Sequence, residues 1–422
     1  MMDTVNPMAP WREAFDAFTA NDEAASLGAQ ARADAFARFE AHGLPTRRQE
    51  YWKYTPVRGL APDTATVERA SGDTFADVEA YRLVFVDGRI DMSRSDHAAL
   101  SAVAEIAGPE GALWMEGVFN TLQNRDIPGA MFQVQRPFAD LNLAMFTDGL
   151  AIRIPDGVAI DKPIHLRYEG ALGSHLRLEM LVGKGASVTV LESGAGALTT
   201  GAEIVVEDVA TLDHLRSQTE VAETQFTALY AKVGAAASFK SFTLCADAAL
   251  IRNETIMTMA GDNGSGSVAA GIMGMDDTLI DNTVYISHEA EHCESRQVFK
   301  SVLDGKSKSV FQGKIFVKKG AQKTDGFQMS QAVLLSEQAE FNAKPELEIY
   351  ADDVLCSHGS TTGALDEDAK FYLRSRGCTE SESEALLVAA FIDEAILEIT
   401  DEDLQDRMRA TTDAWMSARA AG

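Results

Sequence analysis

GASVTVLESG (residues 185–194), DVATLDHLRSQTE (208–220), GAAASFKSFTLCAD (234–247) and GSGSVAAGIMG (264–274) share one pattern. Each is a short alternating segment, rich in β-branched, aromatic or small residues, entered through Gly or Asp. SVFQGKIFVKKGAQKTDG (309–326) continues it. Alternation with period two places every second side chain on one face of a strand. The first four segments begin 23 to 30 residues apart, an irregular repeat near the length of one solenoid rung. A sandwich, a barrel and a β-helix all accept many short strands with small residues at the bends. A run of tight hairpins needs Asn-Gly or Asp-Gly at each turn, in register. Apart from Asp87-Gly88, after YRLVFV, such pairs do not fall where hairpins require them. Strands that stack on the next coil need no such turns, and a β-helix is the expected core.

The flanks have a different texture. Phe15 and Phe18, then Phe36 and Phe39, recur at helical spacing among Ala, Glu and Arg, and Gly43 and Pro45 end the pattern. RRQEYWKYTPVRGL (47–60) is aromatic and basic, and reads as a connector packed by its aromatics. Helix-like pieces follow around Trp114–Leu122 and Phe138–Met145. Beyond about residue 364 the chain is helical again. Asp366 caps a first helix through Phe371, Tyr372 and Leu373, and Gly377 stops it. Thr379 and Glu382 form a capping box for a second helix, with Leu387, Phe391 and Ala395 on one stripe and Leu386, Ala390 and Leu397 beside it. Thr400 with Asp403 is expected to open a third, through Leu404, Met408 and Trp415. The expected units are helical 1–80, mixed α/β 81–150, β-helix 151–363 and helical 364–422.

Composition narrows the function. The chain has 422 residues, 46% hydrophobic and 24% charged, with a net charge of −27. That is a globular profile whose charge argues against nucleic acid and anionic membrane surfaces. The first residues, MMDTVNPMAPWREAFDAF, lack the basic and then apolar pattern of a signal peptide. No charge-free apolar stretch approaches the ~18 residues of a membrane span. LLVAAFI (386–392) is flanked by acids and belongs to an amphipathic helix. A cytoplasmic protein is expected. The four cysteines, Cys245, Cys293, Cys356 and Cys378, include no CxxC and read as free thiols.

Chemistry concentrates in NAKPELEIYADDVLCSHGSTTGALDEDAKFYLRSRG (342–377). On a strand, Cys356 and His358 share a face, with Cα atoms about 6.5–7 Å apart. Thiolate and imidazole suit zinc, copper or iron–sulfur species. A closed tetrahedral site needs four ligands, and this pair supplies two. A buried Cys beside a hydrogen-bonded His is the ordinary alternative. SHEAEHCES places His288, His292 and Cys293 together and matches H-E-x-x-H literally, but it follows the strand-like DNTVYIS with no helical pattern around it. A polar loop is expected there rather than a protease site. LDGKSKS (303–309) contains GKS, yet Lys300 stands where a phosphate loop needs its first Gly, and no GxSxG is present. ATP hydrolysis and α/β-hydrolase chemistry therefore have no support. Two other readings remain from the residues alone. One is a stand-alone β-helix enzyme acting on carbohydrate or acyl groups, and the other is a zinc protein using His292, Cys293, Cys356 and His358.

The 342–377 segment, with CESRQVFKSVL (293–303), FQGKIFVKKGAQKTDGFQMSQAVLLS (311–336) and RRQEYWKYT (47–55), resembles the SufB/SufD family of iron–sulfur cluster assembly scaffolds. The likeness spans most of the chain and is most specific over 293–391. Within the family the CSHG segment is similar to the SufD type rather than the SufB type. Leu355 departs from the pattern, standing where Lys is common. The resemblance implies a central β-helix flanked by helices. It also implies a non-catalytic scaffold that pairs with SufB through the β-helix and engages the SufC ATPase through its C-terminal helices. Phe371, Tyr372, Leu373, Arg374, Arg376, Leu387 and Phe391 would meet SufC. Cys356 and His358 would contact a transient iron–sulfur cluster shared with SufB. A homodimer without SufB, and a flavin at the level of the complex, are both compatible with it.

Overall fold

The computed structural model describes residues 7–21, 28–57, 59–63, 72–108, 136–170 and 173–421. The helix-like piece at Trp114–Leu122 lies outside them. The chain winds alternately between two sheets, of ten and nine strands among the described residues. Within the coils, each strand before the last coil pairs in parallel with the strand one full coil later. Leu250–Met259, for example, pairs with Leu279–His288, which pairs with Lys308–Val317. Those strands begin 29 residues apart, so the irregular sequence repeat is one coil. About seven coils form the expected β-helix.

Alternation sorts the side chains into layers. Leu212, Phe239, Val268 and Ile272 from the ten-stranded sheet meet Ile204, Leu229, Met257 and Ile286 from the other inside the solenoid. The outer faces are covered as well, which is why most strands are buried along both faces. Seven helices lie among the described residues: α1 (Ala9–Asn21), α2 (Ala29–His42), α3 (His97–Leu100), α4 (Pro137–Met145), α5 (Glu367–Ser375), α6 (Glu380–Ile396) and α7 (Glu402–Ala421). The N-terminal helices cover the nine-stranded sheet. Phe15 stacks on Phe36 at 4.2 Å between helices, and Phe138 of α4 stacks on Phe226 of the sheet at 3.6 Å. Helices α6 and α7 cover the ten-stranded sheet, where Val388, Ile392, Met408 and Trp415 meet Leu215, Phe242 and Val302. No helix among the described residues is long and apolar enough to cross a membrane.

RRQEYWKYT is a connector laid on the nine-stranded sheet. Trp52 is buried beneath it, with the Arg252 guanidinium 3.8 Å from the indole centre. The Tyr51 carbonyl accepts from Arg252 Nη1 at 3.0 Å and from Gln312 Nε2 at 3.1 Å. Its aromatic residues thus serve packing, while Arg47, Arg48 and Lys53 are exposed.

One corner of the coil is built the same way each time. Gly157, Gly185, Val209, Ala236, Asn263, His292 and Lys323 all have φ between +52° and +71°. Each donates its N–H to a carbonyl on the following coil, at 2.6–3.0 Å. The left-handed residue reverses the chain and its N–H ties two coils together, so the stack does the work that hairpin turns do elsewhere. Asp87-Gly88 makes the expected tight turn between Tyr81–Val86 and Arg89–Ile90.

Two sequence expectations change in the C-terminal helices. The cap of α7 is Asp401, whose Oδ1 accepts from Leu404 N at 3.0 Å. Thr400 is drawn instead into a tertiary contact, with its Oγ1 accepting from Lys240 Nζ at 3.0 Å. On α6 the buried stripe is Ser383, Val388, Ile392, Ala395 and Ile396, rotated from the expected one. Val388 and Ile392 lie on neither of the two expected stripes, and contact with the sheet buries this third face while Leu386 and Leu397 stay exposed. The caps at Asp366 and at Thr379–Glu382 stand as read.

Candidate functional site at the open end of the solenoid

The two ends of the β-helix differ. At the N-terminal end, Arg89–Ile90 and Glu105–Ala107 pair antiparallel onto the sheets and finish them. At the other end, Glu340–Ile349 and Leu355–Gly363 are the last strands of their sheets, each paired on one side only among the described residues. Their outer edges present unpaired N–H and C=O groups. Ile349, Tyr350 and Leu355 expose large apolar side chains here, with Leu355 74% exposed.

Cys356 and His358 lie on that last strand. They stand in register with Gly326 and Gln328 of Asp325–Leu334, and period two puts both on one face. That face is the interior one, since Gly326 and Gln328 are buried. The last coil has no successor, so the interior face opens to the outside. Cys356 is half-buried against Ile315, Val317, Ala321 and Ala351, while His358 is exposed. Gly326 makes room for the thiol: a Cβ there would lie 3.3 Å from Cys356 Sγ and 3.1 Å from Ile315 Cδ1. Burial pushes the Cys356 thiol above its ordinary pKa, helped by the Asp325 carboxylate and opposed by a backbone hydrogen bond from Gly326. A soft cation that displaced the thiol proton would find a thiolate and an imidazole on one wall.

The other candidate disperses. His288 ends the strand Leu279–His288, fully buried, with Nε2 2.8 Å from Ser295 Oγ. His292 is the left-handed corner residue, and Cys293 is buried with its thiol 3.2 Å from the Gly261 carbonyl. HEAEH is therefore strand end and turn, with no shared helix face. Among the described residues no three His, Cys, Asp or Glu side chains gather to hold a metal ion, which removes the four-ligand zinc reading within one chain. GKS of 305–307 lies in the turn after Glu294–Leu303.

The residues expected to meet an ATPase divide between two surfaces. Phe371 and Tyr372 are 75% and 57% exposed on α5, flanked by exposed Arg374 and Arg376. Leu373 and Leu387 are half-buried. Phe391 packs toward the ten-stranded sheet, with Lys300 Nζ 4.7 Å from its ring centre. Lys300 is buried, and its ammonium contacts Glu394 of α6 and Gln331 of the strand next to the edge. Single-residue sequence reading had no signal for this tie, because a lysine in a strand reads as solvated.

The sequence profile described as "SUF system FeS cluster assembly, SufBD core domain" matches residues 166–391. The chain belongs to the SufB/SufD family. It is 31% identical to the iron–sulfur cluster assembly protein SufD of Escherichia coli, over 87% of this chain and 88% of that one. It is 28% identical to an iron–sulfur cluster assembly SufBD family protein of Synechocystis, over 87% and 86%. A SufBD family protein of Mycobacterium bovis is 24% identical over 90% and 91%. The family match covers the coils from Leu166 to the open end and continues into α5 and α6. A role in iron–sulfur cluster assembly follows for this SufD-like member.

Proposed function

We propose that this chain is a scaffold subunit that shares a nascent iron–sulfur cluster with a SufB-type partner docked on its open end. The observation that carries this is the placement of Cys356 and His358 on an edge strand of an uncapped solenoid. Two soft ligands are half of a tetrahedral set, and the unpaired strand edge beside them is where another chain would bring the rest. Strand addition at such an edge gives the partner backbone hydrogen bonds. Leu355, where the family pattern has Lys, adds apolar contact area to that edge. The cluster is cargo: Cys356 loses its proton to solvent as iron binds, and His358 offers a neutral ring nitrogen.

The SufC ATPase would dock on α5 through Phe371 and Tyr372, with Arg374 and Arg376 at the rim. Exposed aromatics flanked by arginines are the composition of interface anchors. Motion of α5 and α6 would then reach the sheet through Glu394, Lys300 and Gln331, one strand from Cys356 and His358. The chain itself would perform no hydrolysis.

Co-expression with SufB, SufC and sulfur donors tests the reading. The complex purified with His358→Ala should hold several-fold less iron and sulfide than the wild-type complex, with subunit ratios unchanged. Equal cluster content would remove His358 from the site.

A further inference from the structure

Behind His358, inside the solenoid, two glutamines stand in its column. The register runs from Gln297 to Gln328 to His358 across three neighbouring strands. Gln297 and Gln328 are both fully buried, and in each the amide oxygen and the amide nitrogen lack a hydrogen-bond partner among the described residues. Gly313, across the interior, leaves room for the Phe311 ring and for the Gln297 amide: a Cβ there would lie 2.5 Å from Phe311 Cζ and 3.0 Å from Gln297 Oε1. An amide buried without partners loses its bonds to water and gains none in return. Two in adjacent positions of one column are an arrangement that an apolar pair would fill at no such cost. The nearest polar groups along the column are each other and the His358 imidazole, at the ~4.8 Å spacing of paired strands.

The same solenoid shows that side chains bond along its columns. Ser330 Oγ donates to Ser360 Oγ at 3.2 Å, across the same two strands and two residues further on. Deeper in the glutamine column, His214 stands in register with Ser241, and its Nδ1 lies 2.9 Å from Ser241 Oγ. An interior histidine held by its in-register neighbour is therefore already part of this fold.

We infer that Gln328 is a positioning residue for His358, holding its imidazole in one tautomer and one orientation. Rotation of these side chains would let one ring N–H of His358 donate to Gln328 Oε1, and Gln328 Nε2 donate to Gln297 Oε1. The other ring nitrogen then keeps its lone pair for iron. A metal-binding histidine whose second nitrogen is held in this way is oriented and made more basic. When a partner covers the open end, the exposed His358 imidazole loses water as an alternative partner, so assembly would tighten the arrangement. This inference rests on the reading of His358 as a cluster ligand.

The test is nitrogen NMR of the full chain labelled at its histidine ring nitrogens, at about pH 8, where an ordinary histidine is neutral. His358→Gln identifies the signals. The wild type should show two widely separated ring shifts, one protonated and one bare nitrogen, as a single tautomer gives. In Gln328→Leu the two shifts should draw together as the tautomers mix. Gln328→Met, a second apolar variant of similar length, should do the same and guards against a folding defect in the first. Ring shifts unchanged in both variants would overturn the inference, because a purely structural glutamine would leave the tautomer untouched. Failure of the cluster-ligand reading would appear separately, as unchanged iron content with His358→Ala.

Discussion

At the scale of single residues, two of the buried histidines contribute to a pH limit. His175 is fully buried with Nδ1 2.8 Å from Thr199 Oγ1, and burial lowers its pKa from 6.5 to about 4. His288 is likewise lowered to about 4 by burial. The folded state holds both neutral, whereas the unfolded chain protonates them below about pH 6.5. Their contribution is therefore fully present above pH 6.5 and is lost as pH falls toward 4. Each is worth up to about 3 kcal/mol over that interval. Thermal melts should show the midpoint dropping between pH 6.5 and 4. In the double variant His175→Gln, His288→Gln that slope should flatten, with both glutamines able to bond the same hydroxyls. An equal slope in the variant would place the acid sensitivity elsewhere.

At the scale of elements, the repeated corner decides how much of the fold was legible. Alternation along GASVTVLESG and GAAASFKSFTLCAD showed strands, and their spacing showed coils, because a period-two pattern survives in the sequence whatever the strand pairs with. The corner was hidden, because Gly157, Val209, Asn263, His292 and Lys323 share a backbone conformation and no side-chain chemistry. His292 thus imitated half of a zinc motif. Caps depend on neighbours in sequence, and Asp366 and Thr379 were legible for that reason. Thr400 was misread because its partner, Lys240, lies far away along the chain. Cys356 and His358 were legible as a pair, while Gln328 and Gln297 were not, since their column exists only once the coils stack. The corner also carries a prediction. Val209 holds φ 61° with a β-branched side chain that is 65% exposed, so it has strain with little packing to offset it. A left-handed residue with a Cβ costs roughly 1–2 kcal/mol, and glycine returns about 0.5–1 of that as lost chain entropy. Val209→Gly should stabilise the protein by about 1 kcal/mol or slightly less, read as a raised melting midpoint. A lowered midpoint would mean that the Val209 side chain makes a contact outweighing its strain.

At the scale of the whole molecule, a solenoid must finish both its ends. Stacked coils bury each other's faces, and the terminal coil has one side left over. Here the N-terminal end spends two antiparallel strands on closure, whereas the C-terminal end leaves two parallel edges and three apolar side chains exposed. Exposed edges of this kind pair with whatever strand is available, and proteins that must avoid this place charges on them. The family resemblance expects such a charge, a Lys, before Cys356, and this chain has Leu355 instead. Without a SufB-type partner, the available strand is the same edge on a second copy. The purified chain alone is expected to form a dimer through Leu355–Gly363 and Glu340–Ile349 at micromolar concentrations, seen by light scattering. Leu355→Glu puts a like charge into both halves of a two-fold contact and should shift the population to monomer by at least ten-fold, about 1.4 kcal/mol. Because Leu355 is exposed in the single chain, the melting midpoint of the monomer should not move. A dimer that persists in Leu355→Glu would place self-association on another surface, and the exposed aromatics Phe371 and Tyr372 of α5 would be the next to vary.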